Sequence, residues 1–128
     1  MQALLDTSSF LWFITDNEKI SDNARTFLAD LDNDLILSIA SLWEMAIKIS
    51  INKLVLMQPF AQLIPDQLQK NRIRLLPIET KHLSILLTLP FHHRDPFDRL
   101  IMSQAIAEEI PLIGSDAIFQ KYNVKLIW

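Results

Sequence analysis

The sequence predicts a three-layer α/β/α sandwich around a mostly parallel sheet of about five strands, in one domain spanning residues 1–128. Three observations carry this prediction. Apolar runs of strand length alternate with segments of helical period, the pattern of βαβ units with helices on both faces of a sheet. Residues suited to capping stand at the starts of several helical segments. Half of the 128 residues are hydrophobic and 21% are charged, which suits a folded domain of ordinary size with a real core.

In chain order, residues 3–7 read as a buried strand, followed by a short apolar helix through residues 9–14. Ser21 caps a helix carrying Ala24, Phe27, Leu28 and Leu31 at helical spacing. Residues 35–40 form a second strand, and from Ser41 a helix presents Leu42, Met45, Ala46 and Ile49 on one face. A further helix covers Pro59 to about Asn71, kinked or divided at Pro65. Leu75–Ile78 is a short third strand, and Thr80 caps a helix with Leu83, Leu86 and Leu87. Asp95 then stands before Pro96 as an N-cap followed by a favoured first helical residue, and that helix runs to about Glu109. Ile110–Ser115 and Val124–Trp128 complete the strands. No internal repeat, low-complexity tract or flexible linker interrupts the series.

Composition excludes several classes of function. The single glycine, Gly114, rules out a glycine-rich phosphate loop. The absence of cysteine rules out disulfides and thiolate metal sites. Apolar stretches fall far short of the roughly 20 residues that span a bilayer, and no secretory signal is visible. The expectation is a soluble, cytoplasmic protein with no membrane association. A net charge of -3 gives no footprint for non-specific nucleic-acid binding. It does not argue against a nuclease, whose bound cations reverse the local sign.

Four acids stand out. Asp6, Glu44 and Asp116 fall just beyond apolar strand runs, and Asp98 stands in the first turn of the helix that Pro96 opens. In a parallel sheet those positions converge on the carboxyl edge, where open α/β sheets bind ligands. Each acid also has a structural reading. Ser41 to Glu44 fits a capping box, and Glu44 stands four residues before Lys48 for a helical ion pair. Asp98 suits the positive end of its helix, and Asp116 suits the cap of a short helix before Tyr122. Asp6, directly after a buried strand, gains little there unless it binds something. Taken together the acids make an oxygen donor set for Mg²⁺ or Mn²⁺, since clustered carboxylates cannot all ionise without a cation. Metal-assisted phosphodiester hydrolysis follows as the chemistry.

His82, on a helix among leucines, reads as a surface or half-buried residue. His92 and His93 precede Arg94 in the loop before the Asp98 helix; they suit a metal or a phosphate, or simply a solvated loop. Arg94 and Arg99 either meet substrate phosphates or pair with Asp95 or Glu108. Trp12, Trp43 and Trp128 read as core or interface packing.

Four segments are similar to the PIN domain, and more narrowly to the VapC-type toxins of bacterial toxin–antitoxin pairs. They are Leu4-Leu5-Asp6-Thr7, the run from Ser38 to Lys48, the run from His93 to Ile101 with its Asp95-Pro96-Phe97-Asp98 core, and Ser115-Asp116. The resemblance covers essentially the whole chain, to the ending Tyr122-Asn123-Val124 and Ile127-Trp128. It implies a PIN-like fold and a ribonuclease dependent on Mg²⁺ or Mn²⁺. Asp6, Glu44 and Asp98 would be the principal catalytic and metal-binding acids, and Asp116 the more peripheral fourth. Thr7 and Ser115 match positions of supporting hydroxyls, and His93, Arg94 and Arg99 remain candidates for substrate contact. A homodimer and a cognate antitoxin protein are the implied partners, with RNA as substrate. One departure is Asn52-Lys53-Leu54, where relatives often carry Gly-Lys-Leu; Asn also adopts the left-handed backbone of a helix end. The alternatives are a PIN-fold module that binds RNA or protein without turnover, and a small-molecule phosphohydrolase. The latter lacks an Asp-x-Asp-x-Thr nucleophile motif after the first strand.

Overall fold

A computed structural model describes residues 1–128. Five strands, β1 (Gln2–Leu5), β2 (Asp34–Ser38), β3 (Ile73–Leu76), β4 (Leu112–Ile113) and β5 (Leu126–Ile127), form one sheet in the order β3-β2-β1-β4-β5. Every neighbouring pair is parallel, so the sheet is wholly rather than mostly so. Leu4 lies opposite Ile36 and Leu112, and Leu5 opposite Leu37 and Ile113.

Successive side chains of a strand leave on opposite faces, and here both faces are covered. Ala3, Leu5, Leu35, Leu37 and Ile113 pack on one side with Phe10, Ala24, Leu28, Met45 and Ile64. Those partners come from α1 (Thr7–Ile14), α2 (Asp22–Ala29), α3 (Ile39–Ser50) and α4 (Phe60–Lys70). On the other side Leu4, Ile36 and Leu112 pack with Leu100, Ile101, Met102, Ala105 and Phe119. These belong to α6 (Pro96–Glu108) and the short 3₁₀ helix Ala117–Lys121, and α5 (Thr80–Leu86) adds Ile85 and Leu86. The result is the expected three-layer sandwich. No helix is long and apolar enough to cross a membrane.

Element boundaries differ from the sequence reading where local hydrogen bonds decide them. The Asp6 carboxylate accepts from Ser9 N at 2.8 Å and caps α1, so the first strand stops at Leu5 and the helix starts at Thr7. The Ser38 hydroxyl accepts from Ala40 N at 3.0 Å, so α3 begins at Ile39 and not at Ser41. Glu44 is thereby too deep in the helix for a capping box, while its ion pair with Lys48 forms at 2.9 Å. β3 lies earlier than expected, over residues 73–76, because Pro77 has no N–H for a ladder. Pro65 sits inside α4 without dividing it. Glu79, not Thr80, caps α5, through a reciprocal box with His82. That box turns His82 fully inward and leaves Leu83 and Leu87 exposed, correcting the expected packing face. Asn52 takes a φ of 60° after α3, the left-handed conformation that its residue type permits.

Strand order sets where a site can form. The chain builds β1, β2 and β3 outward in one direction, then returns to lay β4 and β5 on the other side of β1. The carboxyl ends of β1 and β4 therefore flank a topological switch point, the place where such sheets open a crevice.

Candidate active site

Asp6 directly follows β1 and is buried. Its Oδ1 is held by Ser9 N, and its Oδ2 faces Gly114 just beyond β4. Glu44 projects from the second turn of α3 and is also buried. The Thr7 hydroxyl donates to its Oε1 at 2.6 Å and lies 3.0 Å from the Ser41 hydroxyl. Lys48 donates to its Oε2 at 2.9 Å. Asp95 caps α6, its Oδ1 accepting from Phe97 N and Asp98 N at 2.9 and 3.1 Å. Pro96 opens that helix, and Asp98 stands in its first turn. Asp116 follows β4, and its Oδ1 accepts from Ile118 N at 3.0 Å as the cap of the 3₁₀ helix.

The fold brings Glu44, Asp98 and Asp116 each within electrostatic reach of Asp6. Burial pushes Asp6 up to about 6, against its bonds from Ser9, and the charges of Glu44 and Asp116 add to the rise. Burial also pushes Asp98 up to about 6, with the charges of Asp95 and Asp6 acting in the same direction and the His93 hydrogen bond opposing them. The Lys48 ammonium is held above its ordinary range, chiefly by its bond to Glu44; the charges of Asp95 and Asp98 reach it too. This is a set of oxygen donors whose mutual repulsion is only partly compensated within the protein. A hard divalent cation fits such a set. Ligand atoms of His93, Asp98 and Asp116 lie within 4.8 Å of one another, close enough to share an ion.

The remaining candidates separate. Thr7 is buried against Glu44, whereas Ser115 and Arg94 are exposed, and Arg94 lines a cavity with Leu86, Phe91 and Arg99 that includes none of the acids. His93 lies against the acids, its Nε2 2.8 Å from Asp98 Oδ2. Arg99 is buried and pairs with neither Asp95 nor Glu108. Its guanidinium donates to the carbonyls of Leu89, Pro90 and His93 at 2.9 to 3.3 Å, and Phe91 covers it at 4.1 Å. A buried cation spent on backbone carbonyls holds a loop and is not free for a substrate. Arg99→Ala is expected to cost about 2 to 4 kcal/mol in chemical denaturation, because three carbonyls lose their donor. Arg99→Lys should recover little of that, since an ammonium lacks the planar fork.

Sequence reasoning missed two residues of this region. Lys48 reads in sequence only as a helical partner of Glu44, yet its ammonium is also within reach of the charges of Asp95 and Asp98. Gly114 has a signal in hindsight: a chain with one glycine places it beside the switch point. A Cβ there would stand 2.8 Å from Asp6 Oδ2 and 2.8 Å from the Phe119 ring. Of the tryptophans, Trp12 and Trp128 pack together at 5.9 Å, while Trp43 is 56% exposed and meets Phe97 edge-on at 5.1 Å.

The acids lie on the open carboxyl edge of the sheet. A cavity of about 700 Å³ lies at the amino edge, lined by Met1, Gln2, Ile110 and Lys125 among others, and includes none of them.

Comparison with known proteins agrees with this architecture. The family model of the PIN domain matches residues 3–125. Among curated proteins, none matches the sequence. A chain of VapBC2 from Rickettsia felis, solved bound to a DNA fragment from its promoter, superposes with a TM-score of 0.74 at 21% identity, covering 98% of this chain and 97% of that one. A chain of DNA-bound VapBC from Salmonella typhimurium gives 0.71 at 15% identity, covering 98% and 96%. A chain of the toxin–antitoxin system VapBC-5 from Mycobacterium tuberculosis gives 0.62 at 18% identity, covering 98% and 97%. At these identities the likeness is one of fold.

Proposed function

We propose that this chain, which belongs to the PIN domain family, is a metal-dependent endoribonuclease and the toxin component of a toxin–antitoxin pair. The observation that carries the reading is the convergence of Asp6, Glu44, Asp98 and Asp116 at the switch point, with Asp6 and Asp98 both pushed up to about 6. Asp6, Glu44 and Asp98 would hold Mg²⁺ or Mn²⁺, with Asp116 as the more peripheral fourth acid. A bound divalent ion supplies a polarised phosphoryl oxygen and a water of lowered pKa.

The chain's own residues supply the rest. Thr7 and Lys48 fix both oxygens of Glu44, which keeps that carboxylate from rotating as substrate arrives. The Asp95 cap orients the first turn of α6 and so aims Asp98. Arg94, exposed in the loop before α6, would offer a cation for a phosphate of the strand.

Partners follow from fold and surface. The structural neighbours come from toxin–antitoxin complexes, which supports a cognate antitoxin protein. Ile39, Trp43 and Ile47 of α3 and Ile51 at its C-cap recur every fourth residue and are all exposed, an apolar stripe that supports contact with protein, either antitoxin or a second copy in a homodimer. Such a pair would act in the cytoplasm. The test is direct: after EDTA treatment the purified chain should leave single-stranded RNA intact, and should cleave it once Mg²⁺ or Mn²⁺ is returned. Cleavage that persists in EDTA overturns the metal-dependent mechanism, and RNA binding without turnover under any ion favours a pure binding module.

A further inference from the structure

We infer that His93 is a positioning residue of the acidic centre, whose imidazole Nε2 holds one oxygen of Asp98 and so fixes how that carboxylate meets a cation. The inference rests on the metal-dependent reading above and adds a residue that the four acids do not include.

The loop that carries His93 is built to present it. Arg99 donates from below to the carbonyls of Leu89, Pro90 and His93. The buried Tyr122 ties the same loop from the side: its hydroxyl accepts from His93 N at 2.7 Å and donates to Pro90 O at 2.7 Å. Phe119 flanks the imidazole with ring centres 6.2 Å apart. Two buried side chains from separate elements thus immobilise the backbone on either side of this residue, an arrangement a solvated loop does not need.

The imidazole's own contacts assign its tautomer. Nδ1 faces the backbone N–H of Asp95 at 3.5 Å, a donor that requires an acceptor. The ring proton therefore belongs on Nε2, which donates to Asp98 Oδ2 at 2.8 Å and lies 3.6 Å from Asp116 Oδ2. The N–H is thus given to an acid of α6, with an acid from beyond β4 close by. Nε2 in this tautomer has no lone pair to offer an ion, so His93 acts through Asp98. Partners of ligating carboxylates and imidazoles typically contribute about 10- to 100-fold in metal affinity.

The experiment is calorimetric titration of Mn²⁺ into the RNA-free protein, comparing the unsubstituted chain with His93→Ala and His93→Gln. His93→Ala should bind Mn²⁺ about 10- to 100-fold more weakly. His93→Gln, which returns an N–H near the place of Nε2, should recover affinity to within a few-fold, and KM for RNA at saturating metal should be the same in all three. Unchanged affinity in His93→Ala overturns the role of His93 while leaving the metal site intact. A Gln variant as weak as Ala, with altered preference between Mn²⁺ and Mg²⁺, overturns it in favour of direct ligation. No Mn²⁺ binding by the unsubstituted chain overturns the metal reading itself. Far-UV circular dichroism of both variants checks that the fold survives, and because Gln keeps the donor it separates a lost hydrogen bond from a disturbed loop.

Discussion

Asp6→Asn is expected to abolish RNA cleavage and to make the protein more stable at the same time. The activity arm follows from the loss of a charged donor at the centre. Metal-borne stabilisation of a phosphoryl transition state is worth several kcal/mol, so the rate should fall about 10³-fold or more. The stability arm follows from the direction of the pKa shift. Asp6 is raised from 3.8 to about 6 in the folded protein, so the native state holds that proton more tightly than the unfolded chain does. Its cost to stability is therefore present above pH 6 and disappears as pH falls towards 4, because below both values the group is neutral in either state. A shift of that size corresponds to about 3 kcal/mol at neutral pH. Asn removes the charge, keeps the shape, and is as good an N-cap as Asp for the bond from Ser9 N. Melting curves in EDTA should show the Asn variant several degrees above the unsubstituted chain at pH 7.5. The unsubstituted chain should gain stability on acidification from pH 7 to 5, and the variant should gain less. A variant that melts lower at pH 7.5 without metal would show that Asp6 is held as a structural carboxylate and not as part of a repelling cluster.

Gly114→Ala should be the most damaging single methyl group in the molecule. Gly114 does not have a positive φ, so the requirement is for space and not for backbone freedom. The added Cβ would stand 2.8 Å from Asp6 Oδ2, 3.2 Å from Asp6 Cγ and 2.8 Å from Phe119 Cε2. Phe119 is fully buried and cannot withdraw, and Asp6 is pinned by Ser9, so strand β4 or Asp6 must move. Overpacking of this kind costs about 1 to 3 kcal/mol. A shift of the order of 1 Å in Asp6 should also lower cleavage about 10²-fold, well beyond what partial unfolding explains. Activity measured far below the melting temperature separates the two effects; full activity there would mean that Asp6 Oδ2 does not need its present place.

Much of this architecture is legible in the residues because burial on both sheet faces leaves a simple trace. Leu4 and Leu5 point in opposite directions into separate cores, so the strand reads as an unbroken apolar run. Boundaries were less legible, since Ser38 and Ser41 are equally good caps in isolation and only the end of pairing with β3 selects the first. His82 and Arg99 were misjudged for a related reason: a polar residue can be buried when specific partners satisfy it, and those partners lie 26 residues away at Glu108 or in the carbonyls of a loop.

The four acids teach something different. Local reading set capping against ligation for Asp116, and saw for Asp6 no structural use at all. Both carboxylates cap with Oδ1 and turn Oδ2 elsewhere. A carboxylate has two oxygens, and here one secures the backbone while the other faces the centre. Sequence patterns see the first oxygen only.

The strand order also gives the centre a date of birth. A ribosome delivers Asp6 and Glu44 long before residues 110–116, yet β4 must settle beside β1 before Gly114 and Asp116 reach them. Until that late segment has left the exit tunnel, the nascent chain carries scattered acids and no assembled centre. On the proposed function, a nuclease ordered in this way would stay silent while it is being made, beside the very RNA that encodes it.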